Sequence, residues 1–368
     1  MTLQLLTPLL LLMGSATASP RLKVNLSNIE LPTDQHGIRL LTGEASVLAH
    51  GERFYFYFNN WGPCPGVDCC ASEAGCASCC FDNPPSPIKP CSDPYGQMHT
   101  VQAYTTKDFV RWENLGVALP LSARNPGIEF RPCVVFNEIT KLFVMWFEDR
   151  GAGETGYSIA VSETPAGPFR TTHTNVTLPG RGKIGDFNIF VDEDGQAYHV
   201  RTGFDVVRLD ANFTGPAAHV ASFTTPQRSE APTMFKRNGF YYVTAGTDCC
   251  ACLGGASLYV LASANISGPY DYLGDVGSVP GHKFDPHSPN NYVTRAQGSA
   301  IFKVGEEHVW LGNQWNSGLS ATPPGPRNHD LLYWARFEFE EAEAGSPPAI
   351  KQLVFTEETL FEVPGRNV

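Results

Sequence analysis

The sequence repeats one plan five times: a short apolar segment, a polar turn, and a second segment rich in Phe, Tyr or Trp. Runs of β-branched and aromatic residues bounded by Gly, Asn and Asp are typical of β-hairpins. Repetition of one such unit along a chain restricts it to a repeat fold. The five units are ASVLAHGERFYFYF from Ala45, PCVVFNEITKLFVMWF from Pro132, NIFVDEDGQAYHV from Asn188, APTMFKRNGFYYVTA from Ala231 and SAIFKVGEEHVWLG from Ser299.

A second hairpin follows several of these units. YSIAVSETPAGPFRTT from Tyr157 and LYVLASANISGPYDYL from Leu258 share a Gly-Pro-aromatic turn, and QAYTTKDFVRWENLG from Gln102 is a variant. Two hairpins make one four-stranded blade, so we predict an all-β, five-bladed β-propeller over residues 37–368. A β-sandwich is the alternative, but it does not explain five similar units. The last strand-like segment, KQLVFTEETLFEV, is expected to return and close the first blade.

The first eighteen residues are apolar, uncharged and end in Ala16-Thr17-Ala18. A short apolar run before a small-residue cleavage pattern is typical of a secretory signal peptide, and the run is too short to span a membrane. We predict a signal peptide at 1–18, an N-terminal extension at 19–36 and a secreted protein, with an uncleaved anchor as the alternative. Export also suits four glycosylation sequons, at Asn25, Asn175, Asn212 and Asn265.

Eleven cysteines are concentrated in two places, seven of them between Cys64 and Cys91. In an oxidising compartment these predict disulfides, whereas the spacing Cys76-x-x-Cys79 leaves zinc as the alternative. The cysteine-rich stretch at 59–98 interrupts the first repeat unit as an insertion. An odd cysteine count leaves at least one thiol free or paired with another chain, and Cys133, within an apolar segment, is the natural candidate for a buried thiol.

The formal net charge of −11 makes nucleic acid an improbable partner, since an acidic surface repels phosphates. Glycine-rich stretches do not lie between a strand and a helix, and no pair of histidines has the spacing of a catalytic metal site. We therefore predict no cofactor, no catalytic metal and no membrane partner, and a monomer.

Polar residues stand directly before the five hairpins, where the innermost strands of a propeller begin and converge on its central channel. Two carboxylates that face one small site suit glycosidic hydrolysis, in which one donates a proton and the other serves the attacking water. Aromatic residues at the site would stack on sugar rings, and Trp61, Tyr95, Trp315 and Trp334 are candidates. The converging residues are Glu44, Glu129, Asp186, Glu230 and Gln297.

Two segments resemble glycoside hydrolase family 43, whose members are five-bladed propellers. RSEAPTMFKRNGFYYVTAG, from Arg228, resembles the general-acid segment of that family, which implies that Glu230 is the proton donor. GDFNIFVDEDGQAYHV, from Gly185, resembles its second acidic segment, which implies that Asp186 raises the pKa of the donor and orients it.

Three further segments resemble the exo-β-1,3-galactanases of the family: FRPCVVFNEITKLFVMWF, RAQGSAIFKV and VWLGNQWNSG. This match implies that Gln297 positions the water or acts as an imidic acid. Arg131, Trp315 and Trp61 are the candidates for substrate binding. Phe130 stands where those enzymes have Glu, and Glu129 is one residue earlier. A one-residue shift reverses a strand side chain, so Glu129 reaches the site only through a bulge. Glu44 and Glu129 are the candidate bases.

The sequence thus predicts a secreted glycoside hydrolase that cleaves β-linked galactan, or a related polysaccharide containing arabinose or xylose, with inversion. The first alternative is a carbohydrate-binding propeller that has lost turnover. A second alternative is a structural extracellular protein whose cysteine-rich segment is the functional part.

Overall fold

The computed structural model describes residues 21–60, 100–124, 127–151, 154–247, 255–281, 291–315 and 330–364. The predicted signal peptide, most of the cysteine-rich insertion, and Trp61 and Tyr95 lie outside these ranges. Among the described residues, no helix has the length and apolar composition that a membrane span requires. The strands are β1 (Arg21–Ser27), β2 (Ala45–His50), β3 (Arg53–Asn60), β4 (Thr100–Thr106), β5 (Trp112–Leu119), β6 (Gly127–Asn137), β7 (Leu142–Gly151), β8 (Glu154–Ser162), β9 (Arg170–Val176), β10 (Phe187–Val191), β11 (Ala197–Arg201), β12 (Asp205–Leu209), β13 (Pro216–Ser222), β14 (Ser229–Arg237), β15 (Phe240–Thr247), β16 (Tyr259–Ser263), β17 (Asp271–Asp275), β18 (Gln297–Val304), β19 (Glu307–Gln314), β20 (Leu331–Arg336) and β21 (Glu358–Pro364), with a 3₁₀ helix at Leu121–Ala123.

The strands form five antiparallel blades in chain order. Blade one is β2–β5, blade two β6–β9, blade three β10–β13 and blade four β14–β17, and β18–β20 form a three-stranded blade five within the described ranges. The first strand of each blade contacts the first strand of the next, and β18 returns to contact β2. The prediction of an all-β, five-bladed propeller is therefore confirmed.

The ring closes through a separate two-stranded sheet. The last strand, β21, pairs with the N-terminal strand β1 rather than with a strand of the first blade, contrary to the expectation from the sequence. The inward side chains Val24 and Phe361 of this sheet pack with Phe56 of blade one and Trp334 of blade five. The sheet thus covers the junction between the first and last blades and ties both chain ends to it.

Hydrophobic side chains fill the junctions between neighbouring blades, in five clusters within the described part of the chain. Because strand side chains alternate between faces, adjacent residues belong to different junctions. Phe56 faces blade five and Tyr57 faces blade two, and both are completely buried. This explains why each repeat is apolar without an obvious alternation: both faces of every inner blade strand are covered.

The inner strands all begin at one face of the ring, which is termed the top face. Their hairpin turns lie at the opposite face and are short; Asp192–Gly195 forms one of them, with Gly195 N donating to Asp192 O at 2.9 Å. Strand β3 ends and β4 begins at the top face, with Asn60 paired to Thr100. The described ends of the connection between these strands are therefore on the same face as the residues that begin the inner strands.

Cys133 lies in β6 and is a buried free thiol, as expected from the sequence. Its Sγ accepts a hydrogen bond from Ile189 N of blade three at 3.4 Å. Burial raises the pKa of this thiol to about 12, so it stays protonated at neutral pH. Its role in the ring is packing between blades two and three.

We expect His199→Phe to leave the folded state equally stable or to stabilise it by about 1 kcal/mol. His199 is fully buried against Phe187, with ring centroids 4.6 Å apart, and neither ring nitrogen has a hydrogen-bond partner among the described residues. Burial and the charge of Arg201 hold its pKa well below the usual range. The unfolded chain therefore takes up a proton below about pH 6.5 that the folded state refuses. Chemical denaturation at pH 5 and pH 7.5 should show the larger gain at pH 5.

The exposed His173 of β9 provides the matched control, because His173→Phe makes the same replacement on an imidazole that is in contact with water. A loss of more than about 1 kcal/mol in both His199→Phe and His199→Leu would show that the ring nitrogens do have partners.

Candidate active site

Three of the five inner strands begin with a β-bulge. The pairing register shifts between Phe130 and Cys133 in β6, between Glu230 and Thr233 in β14, and after Gly298 in β18. In the first two bulges the residue before proline is left-handed, with φ of 54° at Arg131 and 53° at Ala231. A bulge turns a backbone N–H out of the strand ladder, which makes it available to another partner.

An acid from the preceding blade takes up each of these N–H groups. Arg131 N donates to Glu44 Oε2 at 3.1 Å, and Ala231 N donates to Asp186 Oδ2 at 3.0 Å. Glu44 directly precedes β2 and Asp186 directly precedes β10, so the same arrangement joins blades one and two and blades three and four. The two acids are thereby held where inner strands of adjacent blades begin.

The Arg131 guanidinium binds groups from three other blades. Its Nε forms an ion pair with Glu44 Oε1 at 3.2 Å, and its Nη2 lies 3.1 Å from Asp186 Oδ2. Its Nη1 donates to the carbonyl oxygen of Gly298 in blade five at 2.7 Å. Burial alone would lower the pKa of this side chain, but the charges of Asp186, Glu44 and Glu230 outweigh burial and raise it. Arg131 is therefore a permanent cation at the centre of the site.

Glu230 is joined to Trp315 through the amide of Gln297. The Nε2 group of Gln297 donates to Glu230 Oε1. The Nε1 group of Trp315, the residue after β19, donates to Gln297 Oε1 at 2.9 Å. Gln297 is fully buried and Trp315 is 4% exposed, whereas Glu230 is partly exposed.

The two candidate bases are both buried. Glu44 is 4% exposed, and burial raises its pKa to about 7 against the opposing charge of Arg131. Glu129 is completely buried, and burial raises its pKa to about 8, with the charge of Arg124 acting in the opposite direction. By contrast, the Asp186 side chain is 15% exposed. Of the predicted site carboxylates, Asp186 and Glu230 are thus the two most open to solvent.

The structure joins most of the predicted site residues by direct contacts. Arg131 binds both Glu44 and Asp186, and Gln297 links Glu230 to Trp315. The backbone N of Ala231, the residue after Glu230, connects the two groups by donating to Asp186. The bulge that Glu129 requires is present, but it begins after Glu129. The backbone carbonyl oxygen of Glu129 accepts a hydrogen bond from Asn59 Nδ2 at 2.8 Å. Trp334 lies in the core beside blade one and does not line the site, and Trp61 lies outside the described residues. The catalytic and substrate-binding roles remain predictions.

Four contributors were missed by the sequence analysis: Arg124, Glu148, Asp149 and the carbonyl of Gly298. The charges of Glu148 and Asp149 act on Glu44 and Glu129, respectively, and both side chains are buried. A signal for these two was present, because two acids directly follow the apolar run FVMWF, at the top end of a buried strand. A backbone carbonyl such as that of Gly298 leaves no such signal.

A cavity of about 400 Å³ occupies the channel below the site. Its lining begins at Ser46, Cys133 and Asn188, two residues after Glu44, Arg131 and Asp186. Arg131 and its partners therefore form the layer that separates the site at the top face from the lower channel. Within the described ranges, no three His, Cys, Asp or Glu side chains are grouped as the ligands of a metal ion would be.

We expect Arg131→Met to destabilise the fold by about 3–5 kcal/mol, because it leaves the buried carboxylates Glu44 and Asp186 without their cation. Arg53→Met is the matched control, since Arg53 pairs with Glu113 on the half-exposed outside of blade one and should lose at most about 1 kcal/mol. Urea unfolding of both variants measures the difference. Equal losses would mean that Arg131 does not organise the site.

We expect Glu129→Gln to flatten the decrease of stability between about pH 5 and pH 8. A carboxyl whose folded pKa is raised keeps its proton in this range, whereas the unfolded chain has released it. The free energy of unfolding therefore falls as pH rises, by up to about 1.4 kcal/mol per pH unit for such a group. The measurement is the difference between variant and wild type across this range. Glu306→Gln, at an exposed turn, controls for the loss of one carboxylate. A difference between Glu129→Gln and wild type that stays constant across the range would contradict the raised pKa of Glu129.

Comparison with known proteins connects this site to a family. The family model for glycosyl hydrolases family 43 matches residues 92–318, well over half of the chain. The arabinoxylan arabinofuranohydrolase of Paenibacillus polymyxa is 24% identical in an alignment of 220 residues that covers 49% of this chain and 34% of that enzyme. The chain thus spans about a third of the length of this curated relative.

Solved structures show the same fold. An exo-β-1,3-galactanase from Clostridium thermocellum superposes with a TM-score of 0.65 at 20% identity, covering 89% of this chain and 65% of that one. An exo-β-1,3-galactanase from Phanerochaete chrysosporium, solved with galactose, gives a TM-score of 0.64 at 20% identity, covering 92% and 68%. These superpositions establish a shared architecture. The family model extends from the second half of blade one into blade five. The chain belongs to glycosyl hydrolase family 43.

Proposed function

We propose that the protein is a secreted hydrolase that cleaves β-linked galactan, or a related polysaccharide containing arabinose or xylose, with inversion at the anomeric carbon. The observation that carries this proposal is the meeting of Asp186, Glu230 and Gln297, from three different blades, at the top face of the channel. Two partly exposed carboxyl groups beside a buried cation form a small polar site of the kind that glycosidic hydrolysis requires.

Each of the three residues has one role in the proposed reaction. Glu230 donates its proton to the glycosidic oxygen as the bond from that oxygen to the anomeric carbon breaks. Asp186, anchored by Arg131 and by Ala231 N, keeps its negative charge close to Glu230 and favours the protonated donor. Gln297 positions the water that attacks the anomeric carbon from the side opposite Glu230, so the product is inverted. Because the Gln297 amide binds Glu230 in the structure, this role requires the substrate to part the two side chains.

Similar proteins support the choice of sugar. The solved structures with the same fold include exo-β-1,3-galactanases, and the resemblance to that group includes the Gln at position 297. The arabinofuranohydrolase is the basis for the related arabinose-containing class. Galactan is the first choice because the residue at the water position distinguishes the galactanases from the carboxylate-using members.

Secretion is part of the proposal and depends on residues 1–18 and the four sequons. The asparagines of all four sequons are exposed, as glycan attachment requires: Asn25, Asn175, Asn212 and Asn265. They lie on β1, on an outermost strand and on outer turns, away from the channel. Glycans there would leave the site at the top face free.

The second candidate function is glycan binding without turnover. Its support is the burial of both candidate bases, since Glu44 is occupied by Arg131 at both carboxylate oxygens and Glu129 is completely buried. A site without a base that reaches water would bind sugars through the same groups and release no product. The two functions differ in one measurable property, which is product formation.

We expect the wild-type protein to release galactose from β-1,3-galactan with inversion, and Glu230→Gln to lower the rate at least about 100-fold, because the amide cannot donate an acidic proton. Product is followed by chromatography, and its first-formed anomer by ¹H NMR. Aryl α-arabinofuranoside and aryl β-xyloside are tested in parallel for the related sugar classes.

Glu306→Gln, at the opposite face, is the control and should keep wild-type activity. Tight galactan binding with no product from any substrate over days would support the binding propeller instead.

Secretion is tested by recovering the protein from the culture medium and sequencing its N-terminus. The expected result is cleavage after Ala18.

A further inference from the structure

We infer that the buried ion pair of Arg201 and Asp205 positions Asp186, because it fixes the connection between β9 and β10 that ends at this acid. Arg201 ends β11 and Asp205 begins β12, so the pair flanks one turn at the top face of blade three. This inference deepens the proposed function and rests on it, since Asp186 is the acid proposed to tune Glu230.

The connection between β9 and β10 depends on side chains for its partners. Its residues all lie in the described range 154–247 and form no strand, so no ladder satisfies their backbone groups. Arg201 Nη2 donates to the carbonyl oxygen of Pro179 at 2.9 Å. The backbone N–H of Gly182 donates to Asp205 Oδ2. The cation of the pair therefore holds the first half of the connection, and the anion holds its middle.

The pair itself is enclosed and rigid. Asp205 is completely buried and Arg201 is 2% exposed, with 3.0 Å between Oδ2 and Nη2. The other carboxylate oxygen, Oδ1, accepts a hydrogen bond from Ser222 Oγ at 2.5 Å and lies 3.3 Å from His219 Nε2. Burial alone would raise the pKa of Asp205, but its hydrogen bonds, led by that from Ser222, outweigh burial and lower the pKa. The carboxylate is therefore ionised and fixed at both oxygens.

Two glycines let the connection approach the turn that the pair flanks. A Cβ atom at Gly182 would lie 2.5 Å from Arg201 Nε and 2.9 Å from the carbonyl oxygen of Thr202. A Cβ atom at Gly203 would lie 2.8 Å from the Cα atom of Gly182. Backbone therefore packs directly on backbone here. Any displacement of the connection at Gly182 would break its contacts with the pair.

The same turn also holds the backbone of Asp186. Thr202, the residue after Arg201, donates to the Asp186 carbonyl oxygen from its backbone N at 2.8 Å and from its Oγ1 at 3.1 Å. From this position the Asp186 carboxylate reaches Arg131 Nη2 and the backbone N of Ala231. The pair thus acts on the site through the connection and the turn together.

A shift of this connection would change the donor of the proposed reaction. The negative charge of Asp186 favours the protonated form of Glu230. If Asp186 retreated, this repulsion would weaken, and Arg131 would pair more strongly with Glu230, whose charge already acts on it. Both effects would make Glu230 release its proton at lower pH. Activity, which needs the protonated donor, would then end at lower pH as well.

The first test moves the connection without changing any charge. Gly182→Ala forces apart the contacts with Arg201 and Thr202, whereas Gly185→Ala is the matched control, because its Cβ would lie 3.5 Å from the nearest atom, in Thr202. On β-1,3-galactobiose we expect Gly182→Ala to lower kcat about 10-fold. The high-pH limb of its kcat/KM profile should move down by about one pH unit. A limb that stays in place in Gly182→Ala, or that moves equally in Gly185→Ala, would overturn the inference.

The second test removes the anion of the pair and keeps its shape. Asp205→Asn should move the same limb in the same direction. Asp192→Asn is its control, since Asp192 is also buried and binds Lys236 Nζ at 2.8 Å and Tyr241 Oη at 2.6 Å, but at the opposite face. Both variants should lower the midpoint of urea unfolding, and only Asp205→Asn should shift the limb. An unmoved limb in Asp205→Asn, or an equal shift in Asp192→Asn, would contradict the inference.

A cycle in the urea midpoint tests the link without any reaction. Gly182→Ala and Asp186→Asn are measured singly and together. If the connection positions Asp186, Gly182→Ala has already weakened the contacts of this acid, so Asp186→Asn costs less in that background. Equal costs in both backgrounds would overturn the inference. Wild-type protein that yields no product from any substrate would overturn the proposed function, while this cycle would still decide whether the pair positions Asp186.

Discussion

The buried cation Arg131 is the interaction on which the site depends. A ring of inner strands brings acids from several blades to the same end of one channel, and their mutual repulsion opposes that arrangement. Arg131 offsets it by pairing with Glu44 and Asp186 while its third nitrogen binds the Gly298 carbonyl. A guanidinium suits this position because its planar fork presents donors in several fixed directions, whereas an ammonium is a point charge on a flexible stem.

Most of the fold could be predicted from the sequence, because burial on both faces of every blade imposes short apolar strands at regular spacing. The five hairpins and the turn at Asp192–Gly195 follow from local composition and turn chemistry. The pairing of β1 with β21 could not be predicted in the same way. RLKVNLS has the composition of a strand, but nothing local identifies a partner more than 300 residues away.

The sequence was enough to predict which residues converge at the site, but not which groups each of them contacts. Glu44 and Asp186 were both visible as acids before a strand, yet the backbone groups they bind exist only because Arg131 and Ala231 adopt a left-handed conformation before proline. That conformation is uncommon for residues other than glycine, so local propensity argues against it. Glu129 shows the same limit: the strand does bulge, but one residue too late to turn this carboxylate toward solvent.

Ring closure sets the distance between groups that come from the two ends of the chain. Glu44 begins blade one and Gln297 begins blade five, so their separation is decided at the junction that the β1–β21 sheet covers. Thr42, two residues before Glu44, donates to the Asp330 carbonyl of the connection before β20 at 2.6 Å, which joins the same two blades at the top face. The packing of the β1–β21 sheet and the hydrogen bond beside the channel therefore both act on the separation between Glu44 and Gln297. The proposed reaction needs separations between its groups that are fixed to a fraction of an ångström. A propeller meets this requirement through the closure of its ring, even though no single blade contains the site.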